Sequence, residues 1–172
     1  MKRSSIPHII LMGVAGSGKT TLGVALAQRL DRHFVDADDH HPPANRLKMA
    51  AGRALSDADR QPWLDTLANL LASSPPLILA CSALRHAYRQ HLSAHCTNPP
   101  RFIWLDVPEP ILQQRLEQRE ANSQHFMPAS QLRNQLDTLE APHANEHILR
   151  IPADQPVDAI VNEVCSALTG SA

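Results

Sequence analysis

Cysteine and aromatic residues are scarce in this 172-residue chain. The three cysteines are odd in number and lack metal-ligand spacing, so we expect reduced thiols in a cytoplasmic protein. Aromatic residues make up 3%, which means that aliphatic side chains must build the core. No apolar run approaches the roughly 18 to 20 residues that span a bilayer, and this argues against a transmembrane helix.

An excess of either charge sign is also missing. The 16 basic and 17 acidic residues give a formal net charge of −1, which offers no electrostatic footprint for nucleic acid or a membrane surface. Hydrophobic residues at 43% and charged residues at 19% are ordinary for a globular protein. The length suits one domain with one sizeable core, so we expect a single domain over residues 1–172.

The most informative stretch that is present is the glycine-rich segment GVAGSGKT. It fits the P-loop pattern G-x-x-x-x-G-K-[ST], follows an apolar run and precedes leucines spaced by four. In a strand–loop–helix context, backbone amides converge on phosphate oxygens and the helix N-terminus adds its positive dipole. We therefore predict a nucleoside triphosphate site in which the phosphates contact Gly13, Val14, Ala15, Gly16, Ser17, Gly18, Lys19, Thr20 and Thr21.

Two aspartates after the second predicted strand supply further chemistry for phosphoryl transfer. Lys19 would reach the β- and γ-phosphates, and the Thr20 hydroxyl would hold Mg²⁺. Strand alternation predicts that Asp36 and Asp38 lie on one side of the chain, near the ligand edge of the sheet. One could hold a Mg²⁺-bound water while the other accepts a proton from a substrate hydroxyl. A polar turn or a helix cap is the alternative interpretation.

Arginines provide candidates for binding the acceptor and the transferring phosphate. Arg60 follows a predicted helix cap at Ser56, and its planar fork suits a carboxylate or polyhydroxy substrate. Arg115 and Arg119 lie one helical turn apart, before a loop that contains His125, and could close over the γ-phosphate. The alternative for all three arginines is a solvated helix face with local ion pairs.

Other reactive residues are better explained as structural ones. His91 and His95 have the spacing of zinc ligands on a helix, but no third ligand accompanies them. Asp106 ends an apolar strand, yet Asp36 already fills the metal-side role nearer the P-loop. Cys81 follows a buried strand without an activating partner, so we expect a packed thiol.

Strand and helix patterns alternate along the chain, which indicates a three-layer α/β domain with a mainly parallel sheet. Its ligand should lie beyond the carboxyl ends of the strands. The predicted strands cover 8–12, 34–35, 77–81, 102–105 and 148–151. The predicted helices cover 18–31, 43–49, the segment after Ser56, 84–95, 109–119, 129–139 and 157–168, with a loop at 120–128.

Several sequence blocks resemble those of a known family and occur along the chain in the same order. They are the P-loop, Asp36 to Pro42, Lys48 to Gly52, Leu55 to Leu64, Cys81 to Arg85 with Tyr88 and Arg89, His125 to Pro128, Thr138 to Glu140 and Asp154 to Pro156. The Asp-Arg-x-Pro-Trp and Cys-Ser-Ala-Leu segments are the most specific. Over about residues 8–165 the chain resembles the gluconate kinase family, small P-loop kinases related to shikimate kinase.

The resemblance implies an activity, a fold and an assembly. It implies that ATP and D-gluconate react, with Mg²⁺, to give ADP and 6-phospho-D-gluconate. It implies a five-stranded parallel sheet of order 2-3-1-4-5 flanked by helices, with a lid at about 116–138, and a homodimer.

By the same analogy, residues take individual roles. Asp38 would be the base on the gluconate 6-hydroxyl, Asp36 would help to organise Mg²⁺ through water, and Lys19 and Arg119 would act on the phosphates. The substrate side would be formed by Asp38, His41, Arg60, Arg85 and His125.

The sequence departs from the family pattern at a few positions, and other functions stay open. Ala37 replaces a glycine, Arg85 replaces a lysine, and segment 120–124 is longer than usual. A kinase for shikimate or another polyol acid is the nearest alternative. A nucleotide switch such as a small GTPase lacks support, since no N-K-x-D motif occurs. An inactive P-loop regulator is disfavoured by the intact Lys19, Thr20, Asp36 and Asp38.

Overall fold

The computed structural model describes residues 6–122 and 129–169. Within these ranges five parallel strands form one sheet of order β2-β3-β1-β4-β5, which confirms the predicted order. The strands are β1 (Ile9–Met12), β2 (Phe34–Asp36), β3 (Ile78–Ala80), β4 (Arg101–Asp106) and β5 (Leu149–Pro152). The helices are α1 (Lys19–Leu30), α2 (Pro43–Ala50), α3 (Asp57–Ser73), α4 (His86–Ser93), α5 (Glu109–Asn122), α6 (Ala129–Thr138) and α7 (Val157–Thr169).

The central strand β1 shows why the chain adopts three layers. All four of its side chains are fully buried, as expected for a parallel strand covered on both faces. Ile9 and Leu11 pack in the apolar cluster that includes residues of α1 and α7. Ile10 and Met12 point to the opposite face and pack with residues of α3 and α4. Alternating side chains thus place helices on both faces of the sheet.

Two predicted helix boundaries are wrong, each for a local reason. Helix α4 begins at His86 rather than near residue 84, because Ala83 has φ of 45° and Arg85 is extended. Helix α5 continues to Asn122 instead of ending at 119, and residues 116–122 contain no glycine or proline that would stop it. The first part of the predicted loop at 120–128 is therefore helical, and the rest lies outside the described residues.

No helix formed by the described residues is both long enough and apolar enough to cross a bilayer.

Candidate active site

A cleft of about 750 Å³ opens at the carboxyl ends of the central strands. The P-loop forms one wall, Asp36 is the last residue of β2, and Asp38 and Ser82 come shortly after the ends of β2 and β3. Parallel strands all end at the same sheet edge, so residues far apart in sequence meet there. Arg119 and Gln135 line the cleft from α5 and α6.

Glycines give the P-loop its shape between β1 and α1. Gly16 and Gly18 have φ of 81° and 96°, values that L side chains rarely adopt. Lys19, the first residue of α1, folds back so that Nζ donates to the carbonyl oxygens of Gly13 at 3.0 Å and Val14 at 3.1 Å. Desolvation in the cleft lowers the pKa of the Lys19 ammonium, and the Asp38 carboxylate opposes this shift.

Thr20 and the two predicted aspartates lie together at the base of the cleft. The Thr20 hydroxyl donates to Asp36 Oδ2 at 2.9 Å, and Asp36 Oδ1 accepts from the Asp38 amide at 3.1 Å. The alternation argument for this pair is wrong, because β2 ends at Asp36 and residues 37–40 form a 3₁₀ turn. Asp36 caps that turn, which confirms the cap interpretation for this residue. Ala37 lies in the turn without a positive φ, and an alanine therefore fits where the family has glycine.

Asp38 has the electrostatic setting of a proton acceptor. Its side chain is accessible within the cleft, and the walls of the cleft surround it. Desolvation by the surrounding walls, followed by the charge of Asp36, raises the pKa of this carboxyl, while Lys19 and Arg119 lower it. A carboxylate with a raised pKa takes a proton more readily than an ordinary aspartate.

His41 lies behind Asp38 and is buried. Its ring stacks on Trp63 with centroids 4.3 Å apart, and Nδ1 lies 3.3 Å from Asn45 Nδ2. Nε2 lies 3.9 Å from Asp38 Oδ1. Desolvation, followed by the charge of Arg60, lowers the pKa of His41 to about 4. The imidazole is thus neutral near pH 7 and supports the aspartate turn from within.

Arg60 and Arg85 are linked through Tyr88 and Asp57, and neither arginine is among the described residues that line the cleft. Arg85 Nη1 lies 2.8 Å from Asp57 Oδ2, and the Tyr88 hydroxyl donates to the other oxygen of Asp57. The Arg60 guanidinium lies 5.8 Å from the centre of the Tyr88 ring, and its Nη1 donates to the Leu55 carbonyl at 2.6 Å. A pair of forked cations at this position suits an acidic, hydroxyl-rich acceptor.

The start of α3, which carries Arg60, is fixed by the predicted cap. Ser56 and Asp59 form a capping box, in which each side chain binds the other residue's backbone amide. Lys48 of α2 also binds Asp59 at 2.6 Å. This contact, followed by the bonds from Ser56, lowers the pKa of Asp59 to about 2. The charged pair holds α2 against the start of α3.

The two arginines of α5 have different surroundings. Arg115 donates to the carbonyls of Gly16 at 3.2 Å and Ala153 at 2.7 Å, so it ties the P-loop to the segment after β5. Arg119 lies one turn further along α5 and lines the cleft. The predicted His125 lies outside the described residues.

Gln135 and Asp57 were missed as site residues by the sequence analysis. Gln135 Oε1 accepts from the Ala15 amide at 2.7 Å, which joins α6 to the P-loop. Asp57 orients both Arg85 and Tyr88. Neither residue has a spacing signal, because its partners lie 28 or more positions away in sequence.

The surroundings of Cys81, Asp106 and His91 explain these residues as structural ones. Cys81 is buried, and desolvation raises its thiol pKa to about 12, which makes it a poor nucleophile. Asp106 pairs with Arg150 at the far side of the sheet, and His91 Nε2 lies 2.8 Å from Asp65.

A parallel sheet whose first strand runs into a phosphate loop, with acidic and basic side chains facing that loop across a cleft, defines a P-loop kinase. The shikimate kinase family model matches residues 15–169. The gluconokinase of Gluconobacter oxydans is 41% identical over 160 residues, which cover 91% of this chain and 88% of that protein. A probable gluconokinase of Xenopus tropicalis is 40% identical, with 91% and 90% covered.

A solved structure agrees with these relatives. The crystal structure of a gluconokinase from Sinorhizobium meliloti 1021 has a TM-score of 0.88 and 38% identity, with 98% of this chain and 94% of that chain covered. The chain belongs to the gluconokinase family.

Proposed function

We propose that this protein is a gluconokinase that transfers the γ-phosphate of ATP to the 6-hydroxyl of D-gluconate. The observation that carries the proposal is the cleft of this gluconokinase-family chain, in which the P-loop faces Asp38 and Arg119. The products are ADP and 6-phospho-D-gluconate. The names of the relatives support gluconate as the acceptor, and Arg60 and Arg85 suit its carboxylate and hydroxyl groups.

On the donor side, P-loop amides and Lys19 bind the phosphates, and Arg119 adds positive charge from across the cleft. The Thr20 hydroxyl and the Asp36 carboxylate, 2.9 Å apart, are oxygen ligands of the kind that Mg²⁺ takes, with Asp36 acting through water. When bound, Mg²⁺ would offset the negative charge of the phosphates. The donor set therefore fits Mg²⁺-ATP.

On the acceptor side, Asp38 receives the proton of the 6-hydroxyl. The hydroxyl oxygen forms its bond to the γ-phosphorus, the bond from that phosphorus to the β–γ bridging oxygen breaks, and ADP leaves with the electron pair. Arg60 and Arg85 hold the substrate, and His41 supports the turn that carries Asp38. His125 is proposed for the same side on the strength of the family pattern.

Organisation, assembly and location complete the proposal. Residues 1–172 form one domain with a lid at about 116–138, and the protein acts as a homodimer in the cytoplasm. The three cysteines are free, as is usual in a reducing compartment. Light scattering coupled to size-exclusion chromatography tests the dimer, and a monomeric mass would contradict it.

ADP release from Mg²⁺-ATP tests the activity. We expect strong release with D-gluconate and little with shikimate, related sugar acids, nucleoside monophosphates or no acceptor. Turnover of shikimate in preference to gluconate would agree with a P-loop kinase but contradict gluconate as its substrate. Tight GTP binding without any acceptor-dependent turnover would overturn the kinase assignment itself.

A further inference from the structure

Residues 81–85, here called the acceptor loop, join β3 to α4 and run from the cleft to the Arg85–Asp57 ion pair. Ser82 lines the cleft, and Arg85 pairs with Asp57 on the acceptor side. Ala83 has φ of 45°, a left-handed conformation that is unfavourable for a residue other than glycine. A strained conformation of this kind persists only where neighbouring contacts hold it.

Three successive carbonyl groups of the acceptor loop accept hydrogen bonds from donors outside the loop. Ser82 O accepts from the Gly13 amide of the P-loop at 3.2 Å. Ala83 O and Leu84 O both accept from Arg89 Nη1, at 3.1 and 3.2 Å. Leu84 O also accepts from the Glu140 amide at 2.8 Å. The Arg89 side chain thus holds the strained part of the loop in place through these hydrogen bonds.

Arg89 is itself fixed by a buried ion pair. It is 2% exposed, and its Nε and Nη2 bind the two oxygens of Glu146 at 2.7 and 3.0 Å. Glu146 also accepts from the His143 amide at 2.9 Å. These contacts, with Arg89 first, lower the pKa of Glu146 to about 2, so the pair is ionised at neutral pH. A two-pronged contact sets the orientation of the guanidinium as well as its position.

We propose that Arg89 is a positioning residue for the acceptor: held by Glu146, its guanidinium fixes the acceptor loop so that Ser82 and Arg85 meet the substrate. This inference rests on the proposed function, since it assigns a task to the acceptor side of that site. A buried ion pair contributes little net stability compared with apolar residues of the same volume. In this protein the ion pair instead orients the Arg89 guanidinium towards the carbonyl oxygens of Ala83 and Leu84.

The first test is Arg89→Lys, with Arg29→Lys on the exposed end of α1 as the matched control. A lysine keeps the charge but cannot bind both Glu146 oxygens and both loop carbonyls at once. We expect the KM for gluconate to rise about tenfold, the KM for ATP to stay within about twofold, and the control to match the wild type. An unchanged gluconate KM, or equal rises for both substrates, would overturn the proposal.

The second test separates positioning from folding. Removing both charges in Arg89→Met/Glu146→Leu leaves no buried unpaired ion, so the double variant should retain a melting temperature within a few degrees of the wild type. The loop carbonyls still lose their donor, and we expect the gluconate KM to stay raised. A stable double variant with wild-type KM and kcat would show that the pair serves the fold alone.

Hydrogen–deuterium exchange of residues 81–86 gives a readout that needs no substrate. We expect faster exchange in Arg89→Lys than in Arg29→Lys, and equal rates would count against the proposal. Failure of the proposed function is distinguishable, since the wild type would then not phosphorylate gluconate. Failure of the Arg89 role would appear as normal gluconate kinetics in the variants of an active enzyme.

Discussion

Asp38 is the residue on which the proposed chemistry depends most directly. It faces the cleft, lies in a turn that Asp36 caps, and has a raised pKa because of desolvation and the nearby Asp36 charge. Its backbone amide, rather than its side chain, bonds to Asp36. The carboxylate can therefore take a proton without disturbing the Thr20–Asp36 contact.

Replacing Asp38 by asparagine removes the proton acceptor and keeps the shape. We expect kcat to fall by about 10² to 10⁴, the range that general bases contribute, while ATP affinity stays nearly constant. Steady-state ADP release and equilibrium nucleotide binding measure the two quantities. Wild-type turnover in Asp38→Asn would exclude Asp38 as the base.

His41 makes stability depend on pH. Its pKa is about 4 in the folded protein against an ordinary value of 6.5, so the unfolded chain binds the proton more readily. Stability from this group is present above about pH 6.5 and is lost as the pH falls towards 4. Between pH 7 and 4.5 the loss should be about 2 kcal/mol.

Urea unfolding of the wild type and His41→Gln at both pH values measures this contribution. The wild type should lose about 2 kcal/mol more than the variant between pH 7 and 4.5, because glutamine has no proton to gain. Parallel losses in the two proteins would show that the buried imidazole does not titrate as its surroundings suggest.

At the scale of elements, the packing of α1 against β2 decides how close the P-loop lies to the aspartate turn. A Cβ added at Gly23 of α1 would meet the Phe34 ring of β2 at 2.3 Å, which is far below a normal contact. The glycine thus permits a close approach, and the Thr20–Asp36 hydrogen bond connects the same two elements at the cleft.

The substitution Gly23→Ala has two opposite effects on stability, a gain in helix propensity and a loss from overpacking against Phe34. Alanine favours a helix interior by about 1 kcal/mol, but overpacking a core typically costs 1–3 kcal/mol. We expect the packing cost to exceed the gain and the free energy of unfolding to fall. In a Phe34→Leu background, where the ring is absent, the same change should be neutral or stabilising. An equal effect in both backgrounds would mean that the contact with Phe34 is not the cause.

At the scale of the whole molecule, the cleft connects parts of the chain that are far apart in sequence. The P-loop contacts the acceptor loop through Gly13, α6 through Ala15, and the segment after β5 through Arg115. A nucleotide bound there should stabilise the domain as a unit, because it binds only the folded state.

Thermal unfolding with Mg²⁺-ATP tests that linkage. At about a hundred times Kd the stabilisation is about 2.7 kcal/mol, which corresponds to roughly 5 to 10 °C for a chain of this size. Lys19→Ala should lose most of this shift, and it should abolish phosphoryl transfer. Arg29→Ala, a change on the exposed end of α1, should retain both. A full shift together with activity in Lys19→Ala would contradict the assigned phosphate site.

The amino-acid sequence by itself determined the local features of this protein. The P-loop, the cap at Ser56, the buried strands and the alternation of elements each depend on a few neighbouring residues, and the structure confirms the fold that they predict. The family blocks added the strand order, which no local pattern contains. Helix ends were harder to predict, because the start of α4 depends on a strained alanine at position 83.

Only the tertiary structure decided which polar side chains share a site. Gln135 meets the P-loop across 120 positions, Arg85 meets Asp57 across 28, and Arg89 meets Glu146 across 57. No periodicity links such pairs, because their distance is set by the packing of helices on a common sheet. The sequence therefore identifies the P-loop residues, whereas the proposed acceptor side takes its geometry from contacts that exist only once the chain has folded.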